Sequence, residues 1–504
     1  MPEPRMIVIA GKAAQMVLAA PPEGLRFVIT ATDRSDFALH DCFDQPLRRS
    51  GRVLLRIGYC LDLLSDDPGS VRQKVNRKLG LPAELPAGPV RDALTDLSSL
   101  RALMAHCAGQ SETLLVAVLD DMEKTCLRMQ IVTLVAGTGT ATLVLTQPMR
   151  GYRKVHDRVI ETLLGFEGAT KGIMGLWPLL LPEVEPYQSK PEVPITPEEP
   201  ASLVATDLIR SALSVARQNE AGIIDDIDTE FLHDYRVCLR RIRSVLSLFR
   251  DVFAPETTAE LKDAFSALME PTGRVRDLDV YLLGKPVFFD RVPVSLHPGL
   301  ELLFARMQTE RDLAQRKLVK HLRGANYAAR IAALETRLNA ADGLPPGSQG
   351  DQQALDYACV LIWARYHKVC KLARRIDDAT PDEDVHRLRI HCKKLRYLME
   401  FFGPLFLAKK FRKILKPLKV LQDNLGLFND CSVQQEELGE YLEQRNGTPV
   451  DVELAAAVGA LLATLSRLQA AERARIVTSF QAFDSSRIRS IFEDLFHQPA
   501  EGRQ

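Results

Sequence analysis

The chain has 504 residues, of which 46% are hydrophobic and 26% are charged, and its 65 Lys and Arg balance its 65 Asp and Glu. This length predicts two to four domains, and this composition is typical of an ordinary soluble globular protein. Because 43 Lys and Arg stand against 41 Asp and Glu from residue 201 on, bulk charge gives no support to unselective nucleic-acid binding.

The nine cysteines are scattered and odd in number, with no Cys-x-x-Cys pair and no spacing typical of metal ligands. We also find no signal peptide pattern and no apolar run of about 18 residues, the length that a membrane helix needs. These features predict a protein of the reducing cytoplasm without a membrane partner.

Residues 1–185 are predicted to form an α+β domain with an antiparallel sheet or barrel. Its predicted strands are runs rich in Val, Ile and Leu between Gly, Pro and Asp: Arg5–Leu18, Gly24–Thr32, Gly51–Asp62, Leu114–Leu119, Thr125–Ala136 and Ala141–Gln147. Its predicted helices are Ser70–Leu79, Pro89–Cys107 and Tyr152–Leu164, the last of which ends the domain.

Six prolines lie between positions 182 and 200. Proline lacks a backbone donor and fixes φ, so no helix or strand tolerates this density. We therefore predict a stiff, extended linker over residues 186–200.

The rest of the chain is predicted to be all-α, as two repeats at residues 201–342 and 351–500 around a Gly/Pro loop. The helices predicted in the first repeat are Ser202–Asn219, Glu230–Val252, Thr257–Leu268, a short helix ending at Leu283 after a turn at Gly273–Asp279, Leu300–Leu322 and Asn326–Ala341. The segment 284–299 is predicted to be irregular. The helices predicted in the second repeat are Gln352–Ile376, Asp382–Phe402, Ala408–Leu425, Asp430–Arg445, Val452–Ala482 and Ser486–Phe496.

The basic segment that begins at His233 recurs 153 residues later, at His386. The first copy reads His-Asp-Tyr-Arg-Val-Cys-Leu-Arg-Arg-Ile-Arg, and the second reads His-Arg-Leu-Arg-Ile-His-Cys-Lys-Lys-Leu-Arg. The same offset also relates two aromatic positions and a Gly-x3-Asp segment that follows them. A single offset across all these features indicates an internal duplication.

Each copy places a row of cations on one side of its predicted helix, within about 80° of arc, with apolar residues behind. Such rows are destabilising without a counter-charge, and arginine forks suit phosphate, so a polyanion is the expected partner. The predicted binding residues are His233, Arg236, Arg240, Arg243, His386, Arg389, Lys393 and Arg396. The alternative is a solvated basic face, which is disfavoured because few acids accompany the cations and because the row is duplicated.

Other cations near the rows are predicted as secondary contacts, although each alone is more often ordinary surface charge. They are Arg217, Arg241, Lys368, Lys371, Arg375, Lys394, Lys416 and Lys419. For His233 and His386, phosphate contact is favoured over a structural role because both copies carry the histidine. Catalysis would require an acid–base partner and a metal, and the sequence shows neither, so no catalytic residue, metal site or cofactor is predicted.

The two basic motifs, with Arg-Asp-Leu-Asp-Val at 276–280, resemble the CHAD domain, the conserved histidine α-helical domain. The resemblance covers residues 200–500 and implies two pseudo-symmetric four-helix bundles that bind inorganic polyphosphate in a central basic channel, without catalysis. The second repeat departs from the pattern, because Asn-Asp-Cys-Ser at 429–432 replaces Arg-Asp-Leu-Asp at 276–279. The role of Arg276 is therefore not duplicated.

The first 185 residues resemble, more weakly, the CYTH domain with its triphosphate tunnel fold. The resemblance is carried by Asp-Cys-Phe-Asp-x-Pro at 41–46, Gly-x3-Leu-Arg at 51–56 and Thr-Lys-Gly at 170–172, and CYTH domains commonly precede CHAD domains. The Glu-x-Glu-x-Lys motif that would hold metal and phosphate is absent, since residues 5–12 read Arg-Met-Ile-Val-Ile-Ala-Gly-Lys. The expectation is a degenerate tunnel fold without catalysis.

Three functional hypotheses follow, of which we favour the non-catalytic binding of inorganic polyphosphate, with targeting to polyphosphate granules in the cytoplasm. The second is a metal-dependent triphosphatase or polyphosphate hydrolase in residues 1–185, which the missing carboxylate motif disfavours. The third is a helical scaffold for nucleic acid or an acidic protein, and nucleic acid is disfavoured by the neutral charge balance. The sequence does not determine the oligomeric state.

Overall fold

The computed structural model describes residues 5–66, 69–182, 185–341, 343–377, 380–443 and 451–497. The chain divides into two compact units, residues 1–189 and residues 190–504, called the N-terminal and C-terminal units below. The division falls within the proline-rich segment.

The N-terminal unit is a nine-stranded antiparallel sheet in the order β5-β4-β3-β2-β6-β7-β8-β1-β9. Its strands are β1 Arg5–Ala10, β2 Leu25–Asp41, β3 Arg52–Ile57, β4 Cys60–Ser65, β5 Val71–Lys74, β6 Met104–Asp120, β7 Thr125–Ala136, β8 Thr140–Pro148 and β9 Thr170–Lys171. Its helices are α1 Ala14–Ala19, α2 Pro46–Arg49, α3 Pro89–Ala93, α4 Arg153–Leu164 and α5 Leu176–Leu180. No pairing closes the sheet between β5 and β9 in the described ranges.

Helices cover both faces of this sheet, as the alternation of side chains along β1 illustrates. Ile7 and Ile9 belong to a buried cluster that includes Val159 of α4, whereas Val8 belongs to the cluster around Trp177 of α5. Successive side chains of a strand point to opposite faces, so each strand supplies both cores. The predicted α+β class with an antiparallel sheet is confirmed.

Several predicted elements of this unit are wrong. The predicted helix Ser70–Leu79 contains the strand β5, which pairs with β4 at the edge of the sheet. Its Gln73 side chain donates to the Pro86 carbonyl at 2.8 Å and accepts from the Val90 amide at 3.1 Å, and these tertiary contacts outweigh the local preference. The predicted helix Pro89–Cys107 is reduced to the five-residue α3, and the predicted strand Arg5–Leu18 ends at Ala10 before α1.

The C-terminal unit is helical throughout its named elements. Its helices are α6 Ala201–Ile224, α7 Thr229–Leu248, α8 Pro255–Met269, α9 Gly273–Leu283, α10 Lys285–Asp290, α11 His297–Leu322, α12 Ala325–Leu338, α13 Ala354–Ala373, α14 Asp382–Phe402, α15 Ala408–Glu443, α16 Val452–Phe483 and α17 Ser486–Phe496. The helical class predicted for this half of the chain is confirmed.

The internal duplication is visible in the helix boundaries. Helices α6 and α13, α7 and α14, and α8 and α15 begin 153 residues apart, the offset of the basic motif. The repeats also pack on each other, because Phe249 stacks on its repeat-mate Phe402 with ring centroids 4.8 Å apart. Helices α9 to α11 of the first repeat form one buried cluster with α15 and α16 of the second.

The predicted break between Leu425 and Asp430 is wrong, because α15 runs uninterrupted through both positions. Leu421, Leu425 and Phe428 are buried along one side of this helix, and their burial outweighs the cost of about 1 kcal/mol for Gly in a helix interior. In the first repeat Pro271 interrupts the equivalent helix, which separates α8 from α9. The predicted turn Gly273–Asp279 is the start of α9, and the irregular segment 284–299 contains α10.

Helix α16 alone in the described residues is long and apolar enough to cross a membrane, with a mean hydropathy of 1.4 in its most apolar window. One side of this helix, including Leu454, Val458 and Leu461, is buried in the cluster shared with α11 and α15. A core helix of a bundle meets the same criteria of length and composition.

Candidate anion-binding cluster

Helices α7 and α14 carry the two predicted cation rows, and local sequence fixes where each helix begins. Asp228 caps α7, and its carboxylate accepts from the amides of Glu230 at 2.9 Å and Phe231 at 3.3 Å. Helix α14 begins after Pro381 with three acids in its first turn, which favours a helix N-terminus. The buried apolar side of each helix therefore leaves its cation row outside the core.

In the first repeat, α9 adds a cation to the row of α7. Arg236 Nη1 donates to Thr272 Oγ1 at 2.6 Å, just before α9 begins, and this contact brings Arg276 close to Arg236. Burial lowers the pKa of Arg236, Asp277 opposes this shift, and the neighbouring charges of Arg240 and Arg276 add to it. The guanidinium groups thus lie close enough to repel one another.

Arg276 is a candidate binding residue that was not among the binding residues predicted from the sequence. It is half-buried, its Nη1 is buried without a hydrogen-bond partner, and burial lowers its pKa. Nearby Glu230 and Asp279 oppose that pKa shift, whereas Arg240 adds to it. The signal was present in the Arg-Asp-Leu-Asp motif, but its meaning depends on α9 packing beside α7.

In the second repeat, Arg389 occupies the position equivalent to Arg236. Its side chain is 17% exposed, and its guanidinium lies 3.6 Å from Asp430, the repeat-mate of Asp277. Arg389 Nε is buried without a hydrogen-bond partner, and burial lowers the pKa of the guanidinium. A buried donor without a partner is destabilising, and an anion that accepts from it would remove that cost.

Lys393 connects the two repeats electrostatically. Desolvation lowers the pKa of its ammonium, and the charges of Arg389 on α14 and Arg240 on α7 lower it further. Arg396 acts in the same direction and Asp430 opposes it. We define the central cluster as the six cations related by these charge–charge interactions: Arg236, Arg240, Arg276, Arg389, Lys393 and Arg396.

Replacing Lys393 by methionine is expected to stabilise the unliganded protein at neutral pH. Because the folded-state pKa of Lys393 lies below 10.5, the unfolded chain binds this proton more tightly, and the folded state bears a cost at neutral pH. That cost is relieved as pH rises from the lowered folded-state pKa to 10.5, so the advantage of Lys393→Met should shrink over the same range. Urea unfolding across this pH range measures the difference in free energy of unfolding between Lys393→Met and wild type. The control is Lys317→Met, at an exposed position of α11. Equal stability of Lys393→Met and wild type at neutral pH would contradict the repulsion.

The remaining predicted row residues lie at the edges of the central cluster. His233 is half-buried, and exposed His386 has Nδ1 2.6 Å from Asn429 Oδ1, so Nδ1 carries a proton. Arg243 is exposed, with Nη1 3.3 Å from Met269 Sδ. Among the members of the cluster, Arg396 is partly neutralised, because its Nε lies 2.6 Å from a carboxylate oxygen of Glu400.

The predicted secondary contacts are not all brought to this cluster. Arg217 pairs with Glu220 at 3.1 Å and Glu335 at 3.4 Å. Arg241 stacks over the Phe401 ring at 5.6 Å and lines a separate cavity of about 590 Å³. Lys394 lies on another side of α14, near Lys368 of α13, in a second group of basic residues. Four further secondary candidates are exposed: Lys371, Arg375, Lys416 and Lys419.

The carboxylate of Asp41, which carries part of the CYTH resemblance, is used in the local fold. Its two oxygens accept from the backbone amides of Cys42 at 2.8 Å, Leu47 at 3.1 Å and Arg48 at 2.8 Å, at the start of α2. Within the parts of the chain that the structure describes, no three His, Cys, Asp or Glu side chains are grouped as around a metal ion. The central cluster offers cationic charge and hydrogen-bond donors to a ligand.

The family model of the CHAD domain matches residues 207–439. Two uncharacterized proteins from two strains of Mycobacterium tuberculosis are 27% identical over 293 residues, which cover 56% of this chain and 53% of each relative. The chain thus spans about half the length of these curated relatives. The crystal structure of the CHAD domain from the plant Ricinus communis is 26% identical with a TM-score of 0.47, covering 61% of this chain and 96% of that chain. PptA from Streptomyces chartreusis is 14% identical with a TM-score of 0.45, and the match covers 56% of this chain and 100% of that chain.

Proposed function

Because residues 207–439 form a CHAD domain, we propose that the C-terminal unit binds inorganic polyphosphate at the central cluster. The CHAD family is associated with polyphosphate binding. The observation that carries the proposal is the position of Arg240, whose charge acts on Arg236 and Arg276 in its own repeat and on Lys393 in the other. One extended polyanion could therefore contact cations of both repeats.

Two buried donors of the central cluster that have no hydrogen-bond partner support an oxyanion as the ligand. Arg276 Nη1 and Arg389 Nε come from different repeats and lie in the same cationic group. Phosphate oxygens accept charge-assisted hydrogen bonds from guanidinium groups, and each such bond is worth about 1.5–3 kcal/mol. The acids nearby, such as Asp277 and Asp430, orient the cations but do not satisfy these two donors.

The proposed role is binding without bond cleavage. Arginine and lysine neutralise and orient phosphates. At neutral pH they are poor general bases, because a general base is efficient only when its pKa lies near the operating pH. Cytoplasmic localisation and association with polyphosphate granules remain part of the proposal.

A competition titration tests the function. Long-chain polyphosphate should bind at least about tenfold more tightly than single-stranded DNA at equal phosphate concentration and about 150 mM salt, because the six cations of the compact cluster favour the ligand with closely spaced charges. Preference for the nucleic acid, or equal affinity, would instead favour the scaffold hypothesis.

A fragment of residues 190–504 is expected to fold alone and to retain the polyphosphate affinity of the full chain. The central cluster and its supporting cores lie wholly in the C-terminal unit, and a domain with its own core can fold independently. Circular dichroism checks the helical fold, and the same titration measures affinity. A helical fragment that no longer binds would place essential contacts in the N-terminal unit.

A further inference from the structure

A second group of basic side chains lies on the side of α14 that faces α13. We call it the flank cluster, and its members are Arg250, Arg365, Lys368, His391 and Lys394. At 100° per residue, His391 and Lys394 lie about 160° and 100° around the helix from Lys393 of the central cluster. The two groups therefore occupy different faces of α14.

The contact between α13 and α14 defines the state of His391. Arg365 Nη1 lies 2.8 Å from His391 Nδ1. A guanidinium has only donors, so Nδ1 must be the acceptor and the imidazole is neutral, with its proton on Nε2. This partner of His391 was not predictable from the sequence, because Arg365 is 26 positions away on another helix.

The cations of the flank cluster are close together and lack acidic partners. Burial lowers the pKa of Lys394, and the charges of Arg365, Lys368 and Arg250 lower it further. In the described ranges, no carboxylate forms an ion pair with any of these four cations. Two acids do lie in the neighbourhood: Asp384 pairs with Arg387, and Asp251 follows Arg250 in the chain.

We propose that the flank cluster is a second anion site, which takes one compact phosphate-type group independently of the central cluster. Four cations from α13, α14 and the turn after α7 converge without an ion-pair partner among the described residues, and such a concentration of charge attracts an oxyanion. Arg365 and Arg250 supply forked donors, and the ammonium groups of Lys368 and Lys394 add charge. The inference stands apart from the proposed function, since it concerns other residues.

The site also carries a built-in response to pH. Burial, followed by the charges of Arg365 and Lys368 from α13 and of Lys394 and Arg387 from α14, lowers the pKa of His391 to about 4. A bound oxyanion opposes those charges and raises that pKa, so the complex takes up a proton that the free site does not. Affinity should therefore increase as pH falls from the raised pKa towards about 4.

Calorimetric titration of the full chain with tripolyphosphate counts the sites. Wild type should bind two equivalents of tripolyphosphate. The double variant Arg250→Gln, Lys368→Gln should lose the equivalent bound at the flank cluster. The double variant Arg240→Gln, Lys393→Gln should lose the equivalent bound at the central cluster. The first two residues are exposed, so their replacement should leave the fold intact, as circular dichroism will show. The affected site should weaken by at least roughly 10- to 100-fold, since the loss of even one of its two charge-assisted bonds has this effect. The control is Arg316→Gln with Lys317→Gln, two exposed cations of α11.

The pH arm uses sulfate, whose charge is constant between about pH 5.5 and 7.5, in the Arg240→Gln, Lys393→Gln background. Sulfate affinity should rise on acidification across that window. His391→Asn keeps an acceptor for Arg365 but cannot gain a proton. This variant should therefore bind sulfate at the higher pH, and its sulfate affinity should not rise on acidification.

The outcomes separate the two sites. Unchanged tripolyphosphate stoichiometry in the Arg250→Gln, Lys368→Gln variant overturns the flank site, whatever happens at the central cluster. If that variant weakens only long-chain polyphosphate, the flank cluster is an extension of the central one and the independent site is wrong. If the Arg250→Gln, Lys368→Gln variant loses one equivalent of tripolyphosphate and keeps the one at the central cluster, the flank site is supported. This result holds even if variants of the central cluster show that long-chain polyphosphate binds elsewhere.

Discussion

Replacing Arg240, Arg389 and Lys393 together by glutamine should lower the affinity for long-chain polyphosphate by at least about 100-fold at about 150 mM salt. These three cations come from both repeats. The charges of Arg240 and Arg389 lower the pKa of Lys393, and Arg240 also lowers the pKa of Arg236. Removing about three phosphate contacts should also flatten the slope of log affinity against log salt by about 2, on the scale known for single strands. Fluorescence titration at several salt concentrations gives both quantities.

The matched control replaces Arg316, Lys317 and Lys320, three exposed cations of α11, by glutamine. Net charge changes equally in both triple variants. A loss of binding confined to the first variant therefore shows that the position of the cations, and not the net charge, determines affinity. The first variant should also be at least as stable as wild type, because it removes repulsion. Unchanged affinity and salt slope would make the rows ordinary solvated faces.

Asp279→Ala is expected to reduce the free energy of unfolding by about 3 kcal/mol, the scale of a broken buried ion pair. Asp279 is 2% exposed, and its carboxylate accepts from Arg311 Nε at 2.9 Å. Arg311 is 11% exposed and also pairs with Asp226, so the substitution leaves a nearly buried guanidinium with one of its two carboxylates. Chemical denaturation measures the loss.

Arg274→Ala is the comparison for that measurement, because Arg274 pairs with Glu310 between the same two helices, α9 and α11. This pair is exposed, with side-chain exposures of 48% and 39%, and should contribute less than about 1 kcal/mol. Similar losses for the two variants would show that burial does not set the strength of the Asp279 pair. Asp279 lies one helical turn from Arg276, so the pair also fixes the helix that presents this cation.

The elements with a strong periodic pattern were predicted most closely. The boundaries Asp382–Phe402, Ser486–Phe496 and Thr125–Ala136 agree with those observed. In each, apolar residues recur with the period of one element, and a proline, serine or glycine lies close to at least one boundary. The duplication was also readable, since a repeated sequence of this length folds into the same helices.

What the sequence did not reveal depends on contacts between distant positions. Arg276 joins the central cluster only because Thr272 and Arg236 bring α9 beside α7. His391 has a partner because α13 packs on α14, and nothing within its own helix indicates Arg365. For α15, local signals at Gly426 and Asp430 favoured a turn, but burial of neighbouring apolar residues maintains the helix.

The most direct test of the central claim is a structure of the chain with a short linear polyphosphate bound. The proposal predicts one phosphate chain whose oxygens accept from Arg276 Nη1 and Arg389 Nε, two buried donors of the central cluster that have no hydrogen-bond partner. Arg240 and Lys393 should lie against the phosphates between them. A polyphosphate bound elsewhere, with both donors still without a partner, would contradict it.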